Sequence, residues 1–218
     1  LDIYKKFNEI KIDISDIEEV EFRKDLEIDF NDAGHGLEHD KKNRLSEIDK
    51  KLIELGILFS ENIAKDKTEL QFSKDELRGL SKNELTNLSK SGEKFVITMA
   101  YPDINAVTEN CTVRKTRETT WKAFNNRAVN ENSRILKEAV VLRNEKAGLF
   151  GFKTWADYRL QNRMAKSPKN VKAMYDDLIP KLHKAAELEK KELVIDDIAI
   201  EEIAPWDIRY FISSERSK

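Results

Sequence analysis

Apolar residues recur at steps of three and four early in the chain, which is the spacing of one face of an α-helix. This pattern predicts a helix from about Asp40 to Ala64, with an apolar face formed by Leu45, Ile48, Leu52, Leu55, Phe59 and Ile63. A shorter helical segment is predicted before it, with Ile17, Val20 and Phe30 among its apolar residues. Residues 31–36 between the two helices contain two glycines together with Asn and Asp, so a turn is predicted there.

Two later stretches have the character of strands. Thr68, Leu70 and Phe72 alternate with polar residues, and residues 94–101 are rich in β-formers and end at Pro102. We expect the two strands to pair as a small ribbon packed on helices, because an isolated pair is marginally stable in water. Between them, Ser73 and Ser81 each begin an S-x-x-E capping box, and each box predicts the start of a short helix.

The longest predicted element runs from about Arg114 to Leu149. Its apolar positions are Trp121, Phe124, Ala128, Ile135, Leu142 and Leu149, and the helix would be roughly 54 Å long at ~1.5 Å per residue. Gly151 is the expected left-handed residue that ends it.

Two further helices are predicted in the last third of the chain. One runs from Thr154 to about Met164, and the next begins at Ser167–Pro168 and should kink at Pro180. Residues 194–205 are the best candidate for a connecting segment. The predicted fold class is therefore mainly α, with long amphipathic helices and a two-stranded β ribbon, and no internal domain boundary is predicted in 1–218.

Composition adds limits on partners and location. The net charge is −2 with 37% charged residues, so neither a nucleic acid nor a membrane is expected as a partner. Apolar runs are too short to cross a bilayer. Cys111 is the single cysteine, which excludes an internal disulfide and a cysteine-based zinc cluster and favours a reducing, cytoplasmic compartment.

One motif suggests a metal site. His35-Gly-Leu-Glu-His39 fits the H-x-x-E-H pattern, which places two zinc ligands on one face of a helix. His35, however, lies between Gly34 and Gly36 in turn sequence, and His183 is the only other histidine. We therefore predict loop histidines near a helix start rather than a zinc site, and we assign no catalytic, cofactor-binding or metal-binding residue in this chain.

Other candidate residues favour structural roles. Cys111 lacks an evident His partner and is interpreted as a buried, inert thiol. Trp121 and Phe124 are interpreted as core residues rather than a platform for a ligand. The lysine pairs at 41–42 and 190–191 are interpreted as solvated helix faces. Phosphate-loop and dinucleotide-binding motifs are both absent from the sequence.

The order of several segments resembles the thimet oligopeptidase, neurolysin and oligopeptidase A family of zinc metallopeptidases. Residues 29–37 resemble the family's turn before a long helix, 55–68 its LxxxFxxNxxxDxT run, 72–80 its FTxEELxGL segment, and 95–102 its YxVTLxYP strand. In the long predicted helix and just beyond it, the matching positions are Arg117, Phe124, Arg127, Asn132, Ile135, Leu136, Leu142, Arg143, Ala147, Leu149, Gly151, Phe152, Ala156, Tyr158, Met164 and Ala165. Residues 205–211 resemble the WDxxYY segment, although Phe211 replaces its second Tyr, and Ala106 replaces a family Pro.

The resemblance implies a helical enzyme of two lobes with a channel that admits short, unstructured peptides. In the family, zinc bound by H-E-x-x-H and a downstream Glu polarises the scissile carbonyl, and the motif Glu acts as the base. That motif follows WDxxYY and falls beyond this sequence. The resemblance therefore implies a segment of the N-terminal lobe whose missing C-terminal lobe carries the zinc, with none expected in this stretch, which alone should be inactive.

Two alternatives remain open at this stage. The chain could be a non-catalytic relative that serves as a peptide-binding or scaffold module. It could also be a helical interaction protein unrelated to peptidases, in which case the predicted strand pair should be missing.

Overall fold

The computed structural model describes residues 2–11, 16–192 and 202–216. These residues form three strands, β1 Glu69–Phe72, β2 Ser89–Ser91 and β3 Lys94–Thr98. They also form the helices α1 Asp2–Glu9, α2 Ile17–Asp32, α3 His39–Lys65, α4 Lys82–Asn87, α5 Tyr101–Asn110, α6 Arg114–Asn125, α7 Val129–Leu149, α8 Trp155–Leu160, α9 Pro168–Glu192 and α10 Pro205–Arg216. The mainly α prediction is confirmed. Most of the predicted connection at 194–205 lies outside the described residues.

The chain divides into two compact units. Unit 1 comprises 1–58 and 134–172, and unit 2 comprises 59–133 and 173–218. Within the described residues, no helix is both long enough and apolar enough to cross a membrane.

Unit 1 pairs the first part of α3 with α7. Its buried side chains include three residues of the predicted α3 face and two of α7, namely Leu45, Ile48, Leu55, Ile135 and Ala147. Three ion pairs link the same two helices: Arg44–Glu145 at 2.6 Å, Lys146–Asp49 at 2.6 Å and Lys51–Glu138 at 3.7 Å. Arg44 near the start of α3 meets Glu145 near the end of α7, and the later Lys51 meets the earlier Glu138, so the helices run antiparallel.

Helix α1 is held against α2 by an arginine and by aromatic rings. Arg23 of α2 donates hydrogen bonds to the carbonyls of Phe7 and Ile10 at 3.3 and 2.8 Å. Its guanidinium also lies 4.6 Å from the centre of the Phe7 ring. A cation at the end of a helix satisfies carbonyls that have no partner within that helix, so Arg23 stabilises α1 at its C-terminus.

Replacing two glycines of unit 1 with alanine should change the free energy of unfolding in opposite directions. Gly56 lies exposed within α3, and a Cβ added there meets no atom within 4 Å. Gly56→Ala should therefore raise the free energy of unfolding by about 0.5–1 kcal/mol, because alanine loses less backbone entropy on folding. Gly151, the predicted helix terminator, has φ +82° and equally open space, so Gly151→Ala should lower that free energy by about 1 kcal/mol. Urea denaturation measures both, and equal effects of the two substitutions would contradict the argument.

Unit 2 contains a three-stranded antiparallel sheet in the order β1-β3-β2. Leu70 pairs with Ile97 and Phe72 with Phe95, so the alternation predicted for β1 directs apolar side chains inward. The core formed with the neighbouring helices consists of Phe72, Leu77, Leu80, Leu88, Phe95, Ile97, Met99, Ile104, Val107 and Cys111. The predicted ribbon is present, with β2 as a third strand.

One helix prediction and the end of one strand prediction around this sheet are corrected. The Ser73 box forms, with the amide of Ser73 donating to Glu76 at 2.8 Å, but residues 74–79 remain turns because Gly79 takes φ +102°. The Ser81 box does open a helix, α4. The strand predicted for 94–101 ends at Thr98, and Tyr101 instead begins α5, which has Pro102 in its first turn.

The single helix predicted for 114–149 is wrong. It is divided into α6 and α7 at residues 126–128, where Ala128 has φ 51°. The amide of Ala128 donates to the Asp66 carboxylate at 2.9 Å instead of to a helical carbonyl. Across the same break, Asn132 donates to the Phe59 carbonyl at 3.1 Å and accepts from Asn62 at 2.9 Å.

Candidate functional site

A buried ion pair joins α6 and α10 within unit 2. Arg117 and Asp207 are 1% and 0% exposed, and Arg117 Nη2 lies 2.8 Å from Asp207 Oδ1. Arg114, one turn earlier on α6, places Nε 3.0 Å and Nη2 2.9 Å from Asp207 Oδ2. The amide of Ala204 also donates to that oxygen, at 3.1 Å. One carboxylate therefore connects two helices and the segment that precedes α10.

The electrostatics of this pair follow from its hydrogen bonds. Burial raises the pKa of Asp207, but the hydrogen bonds from Arg114, Arg117 and Ala204 together hold it below its ordinary value. On the other side, the Arg117 guanidinium donates to the Cys111 carbonyl at 2.8 Å and lies 4.2 Å from the centre of the Tyr210 ring. The two charges neutralise each other within the protein, while Arg117 Nε is buried without a hydrogen-bond partner among the described residues. The ion pair therefore positions α6 and α10 relative to one another.

A cavity of about 460 Å³ lies at the end of the sheet in unit 2. We call it the Arg127 cavity, and it is lined by Ile63, Ala64, Asp66, Lys67, Thr68, Glu69, Thr98, Met99, Ala100 and Arg127. Its walls come from the end of α3, the ends of β1 and β3, and the break between α6 and α7. The volume lies in the range of pockets that bind small ligands.

Arg127 is held in a fixed orientation beside this cavity. Its Nε donates to the Phe124 carbonyl at 2.8 Å, and its guanidinium lies 3.7 Å from the centre of the Phe124 ring. Asp66 adds an opposite charge nearby. Hydrogen bonds from Thr68, with a further one from the Ala128 amide, keep the pKa of Asp66 low, so this carboxylate stays ionised.

A second cavity of about 170 Å³ has aromatic walls and is also in unit 2. Tyr101, Trp121 and Phe124 contribute rings, and Tyr101 packs edge-on against Phe124 with 5.6 Å between ring centres. At its rim, Arg209 Nη1 lies 2.6 Å from Asn105 Oδ1. Trp121 also packs against Trp206. Trp121 and Phe124, which were interpreted from the sequence as core residues, therefore both contact other aromatic rings, and both also line this cavity.

The H-x-x-E-H residues do not share a helical face. His35 lies in the turn before α3, as predicted, with its ring 5.0 Å from that of Tyr4 and 5.4 Å from that of Phe30. Burial and the nearby Lys42 lower the pKa of His35. His39 begins α3 and has Nε2 3.2 Å from the Asn43 amide nitrogen. The arrangement is an aromatic cluster beside a helix start.

The remaining candidates also occupy structural positions. Cys111 is fully buried, with Sγ 3.3 Å from the Glu76 carbonyl, and burial raises the pKa of its thiol, so the thiolate nucleophile is disfavoured. His183 is exposed on α9. In the part of the chain that the structure describes, no three His, Cys, Asp or Glu side chains form a group able to hold a metal ion.

Apolar periodicity and composition did not predict the contacts that form the ion pair and the Arg127 cavity. Arg117 and Asp207 are 90 positions apart, and Asp66 and Ala128 are 62 apart. Charged residues are abundant in this chain, so composition gave no signal to select these pairs. The segment similarity did mark Arg117, Arg127 and the Trp-Asp segment, without indicating what they contact.

Comparison with known proteins places this chain among peptidases. The sequence profile described as peptidase family M3 matches residues 107–218. The thimet-like oligopeptidase of Dictyostelium discoideum is 37% identical, over 66% of this chain and 22% of its own length. Saccharolysin of Saccharomyces cerevisiae is 33% identical, over 96% of this chain and 32% of its own length. Oligopeptidase A of Salmonella typhimurium is 30% identical, over 87% of this chain and 30% of its own length. The chain thus spans less than a third of each of these relatives.

Proposed function

The chain belongs to peptidase family M3, and on that premise we propose that it is a segment of a zinc-dependent endopeptidase that hydrolyses short, unstructured peptides. The carrying observation is the profile match to residues 107–218, which extends from within α5 to the end of the chain and includes the buried Arg117–Asp207 pair. Relatives whose names are oligopeptidase A and thimet-like oligopeptidase support the short-peptide substrate class.

Zinc does not fit the described residues. Zinc ligands must converge on one point. Among residues 2–11, 16–192 and 202–216 no three His, Cys, Asp or Glu side chains do so, and His35 lies in a turn while His39 begins α3. We propose that the metal, which would polarise the scissile carbonyl, is bound by another part of a longer polypeptide. No catalytic step is assigned to residues of this stretch.

The role we propose for this stretch is to build part of the wall that holds a peptide. Asp207 connects α6 and α10 through Arg117 and Arg114, which fixes these helices relative to one another. Rigid elements of this kind position a binding surface precisely. A reducing, cytoplasmic location is part of the proposal, and the lone, buried Cys111 supports it.

Metal removal tests the proposed function. The complete product of the gene should cleave an internally quenched nonapeptide, lose that activity with 1,10-phenanthroline and regain it with added zinc. The 218-residue chain alone should neither bind stoichiometric zinc nor cleave the peptide. Cleavage is followed by fluorescence and zinc by elemental analysis.

A control substrate and the gene itself decide among the outcomes. The same nonapeptide embedded in a folded protein should resist cleavage. Activity that survives chelation would contradict the metal mechanism. A stop codon directly after position 218 would favour the non-catalytic, peptide-binding relative, whereas H-E-x-x-H further downstream would support the peptidase.

A further inference from the structure

We propose that the Arg127 cavity and the free edge of β1 together bind the C-terminal end of an extended peptide, with its terminal carboxylate on Arg127. The proposal rests on the proposed function only for the class of ligand, a short unstructured peptide. Beyond that class, it specifies where in this chain the peptide binds, in which direction the peptide runs, and that its terminal carboxylate is the group recognised.

Arg127 offers donors that the protein leaves unused. Its Nε is bound to the Phe124 carbonyl, but within the described ranges no hydrogen bond reaches its two terminal nitrogens. A guanidinium presents two parallel N–H groups that match the two oxygens of a carboxylate. Stacking on Phe124 and the Nε bond already fix the plane of the guanidinium, so little side-chain entropy remains to be lost on binding.

The charges around the cavity are consistent with a small anion at Arg127. Asp66, which lines the cavity together with Arg127, already accepts from the amides of Thr68 and Ala128, at 2.9 Å each. Lys67 adds a second cation to the lining and Glu69 a second anion, so the cavity is neutral overall before a ligand enters. Recognition therefore depends on the fork geometry of Arg127 rather than on a general positive field.

The edge of β1 offers backbone groups next to this cavity. In the described sheet β1 is an edge strand, paired on one side only, with β3. The amide of Thr98 donates to Asp103 at 2.9 Å, which makes Glu69–Thr98 a pair without ladder hydrogen bonds. Because such pairs alternate with bonded ones, Gln71–Val96 is of the same kind. The backbone groups of Glu69 and Gln71 therefore face the free edge, where an added strand can pair with them.

The polarity of β1 determines the direction of the peptide. The strand runs from Glu69, at the cavity, to Phe72, away from it. A peptide that pairs antiparallel to β1 ends at Glu69, which places its last residue in the Arg127 cavity. Antiparallel pairing is also slightly more stable per residue than parallel pairing. Strand direction and charge thus select the same end of the peptide.

Binding of two matched peptides tests the proposal. The probe is a fluorescein-labelled hexapeptide of alternating threonine and valine, prepared as the free acid and as the C-terminal amide, and titrated by fluorescence anisotropy with the full 218-residue chain. The free acid should bind about tenfold or more tightly than the amide, because a charge-assisted bidentate contact is lost. Arg127→Gln should lower the affinity for the free acid to that for the amide, and it should leave the affinity for the amide unchanged.

Three controls keep the result interpretable. Arg134→Gln removes an exposed arginine of α7 and should change neither affinity. Arg127→Lys retains the charge without the fork and should give an intermediate preference for the acid. N-methylation of the peptide at single amides should weaken binding at every second position, as expected for strand addition, without altering the protein.

Several outcomes would overturn the proposal. These are absence of binding by the wild-type chain, equal binding of acid and amide, an equal loss for both peptides in Arg127→Gln, or uniform sensitivity to N-methylation. The readout needs neither zinc nor cleavage. If the complete gene product cleaves peptides but the 218-residue chain binds the free acid and the amide equally, this site is rejected and the proposed function is retained. If the chain prefers the free acid but the complete gene product does not cleave peptides, the proposed function is rejected and this site is retained.

Discussion

Replacement of Asp207 with asparagine should lower the free energy of unfolding by about 3–5 kcal/mol. The substitution leaves Arg117 as a buried charge without a counter-charge, and it removes the anion that Arg114 also binds. Such a buried charge keeps its desolvation cost after its partner is lost, which is why breaking a buried pair costs more than the pair itself contributes. Urea denaturation followed by circular dichroism measures the change.

Asp177→Asn is the matched control for this prediction. Asp177 forms an ion pair with Lys181 at 2.7 Å, but both side chains are largely exposed. Its replacement should change stability by less than about 0.5 kcal/mol. Equal effects of the two substitutions would contradict the account of the Asp207 pair.

The same carboxylate gives a sign for the pH dependence. Because the pKa of Asp207 is lower in the folded state than in the unfolded chain, its contribution to stability is complete above the unfolded value, at about pH 4. It is lost as the pH falls below that value through the lower, folded pKa. The Asp207→Asn variant should therefore show a weaker dependence of stability on pH below about 4 than the wild-type chain.

Replacement of Gly79 with alanine is the second substitution with a large expected effect, and it should lower the free energy of unfolding by about 3 kcal/mol or more. An added Cβ would lie 2.1 Å from the Asn110 carbonyl oxygen and 2.8 Å from the Thr112 amide nitrogen, and both are backbone atoms that cannot rotate away. The residue also has φ +102°, which alanine adopts only with strain. The amide of Thr112 donates to the Arg78 carbonyl at 2.8 Å, so the displaced contact holds the turn to the end of α5. Thermal and urea denaturation measure the loss.

Gly148→Ala separates this crowding from the general effect of replacing glycine. Gly148 lies in α7, and an added Cβ there meets no atom within 4 Å. That variant should be as stable as the wild-type chain or up to about 1 kcal/mol more stable. If the Gly79→Ala variant unfolded at the same temperature as the wild-type chain, the prediction would be contradicted, and the backbone around Asn110 would have to move aside at little cost.

Local signals predicted the elements whose causes are local. The apolar face of α3, the turn around Gly34 and the cap at Ser81 depend on residues a few positions apart, and all three are present. Strand β2 escaped prediction because Ser-Lys-Ser carries no apolar pattern. Helix α5 escaped because Pro102 can end a strand or begin a helix, and tertiary packing decides between them.

A local signal and a distant contact together account for the largest error. Asn125 and Asn126 donate their side-chain amides to carbonyls in the last turn of α6, a local sign of a helix end that the apolar periodicity did not reveal. The Ala128 amide then donates to the Asp66 carboxylate 62 positions away. The same contact brings Arg127 to the ends of β1 and β3 and so forms the Arg127 cavity. Sequence reasoning could recognise the segments as oligopeptidase-like, but it could not place Arg127 beside a sheet edge.

The ion pairs between α3 and α7 have a consequence for how these helices align along their length. Each is partly exposed and contributes little to stability on its own. If α7 slid by four residues in one direction, Lys51 would meet Arg134, and in the other direction Lys51 would meet Leu142. Either shift also removes Glu145 from Arg44. The pattern of charges thus disfavours both four-residue shifts, because each shift loses the ion pairs of the observed alignment.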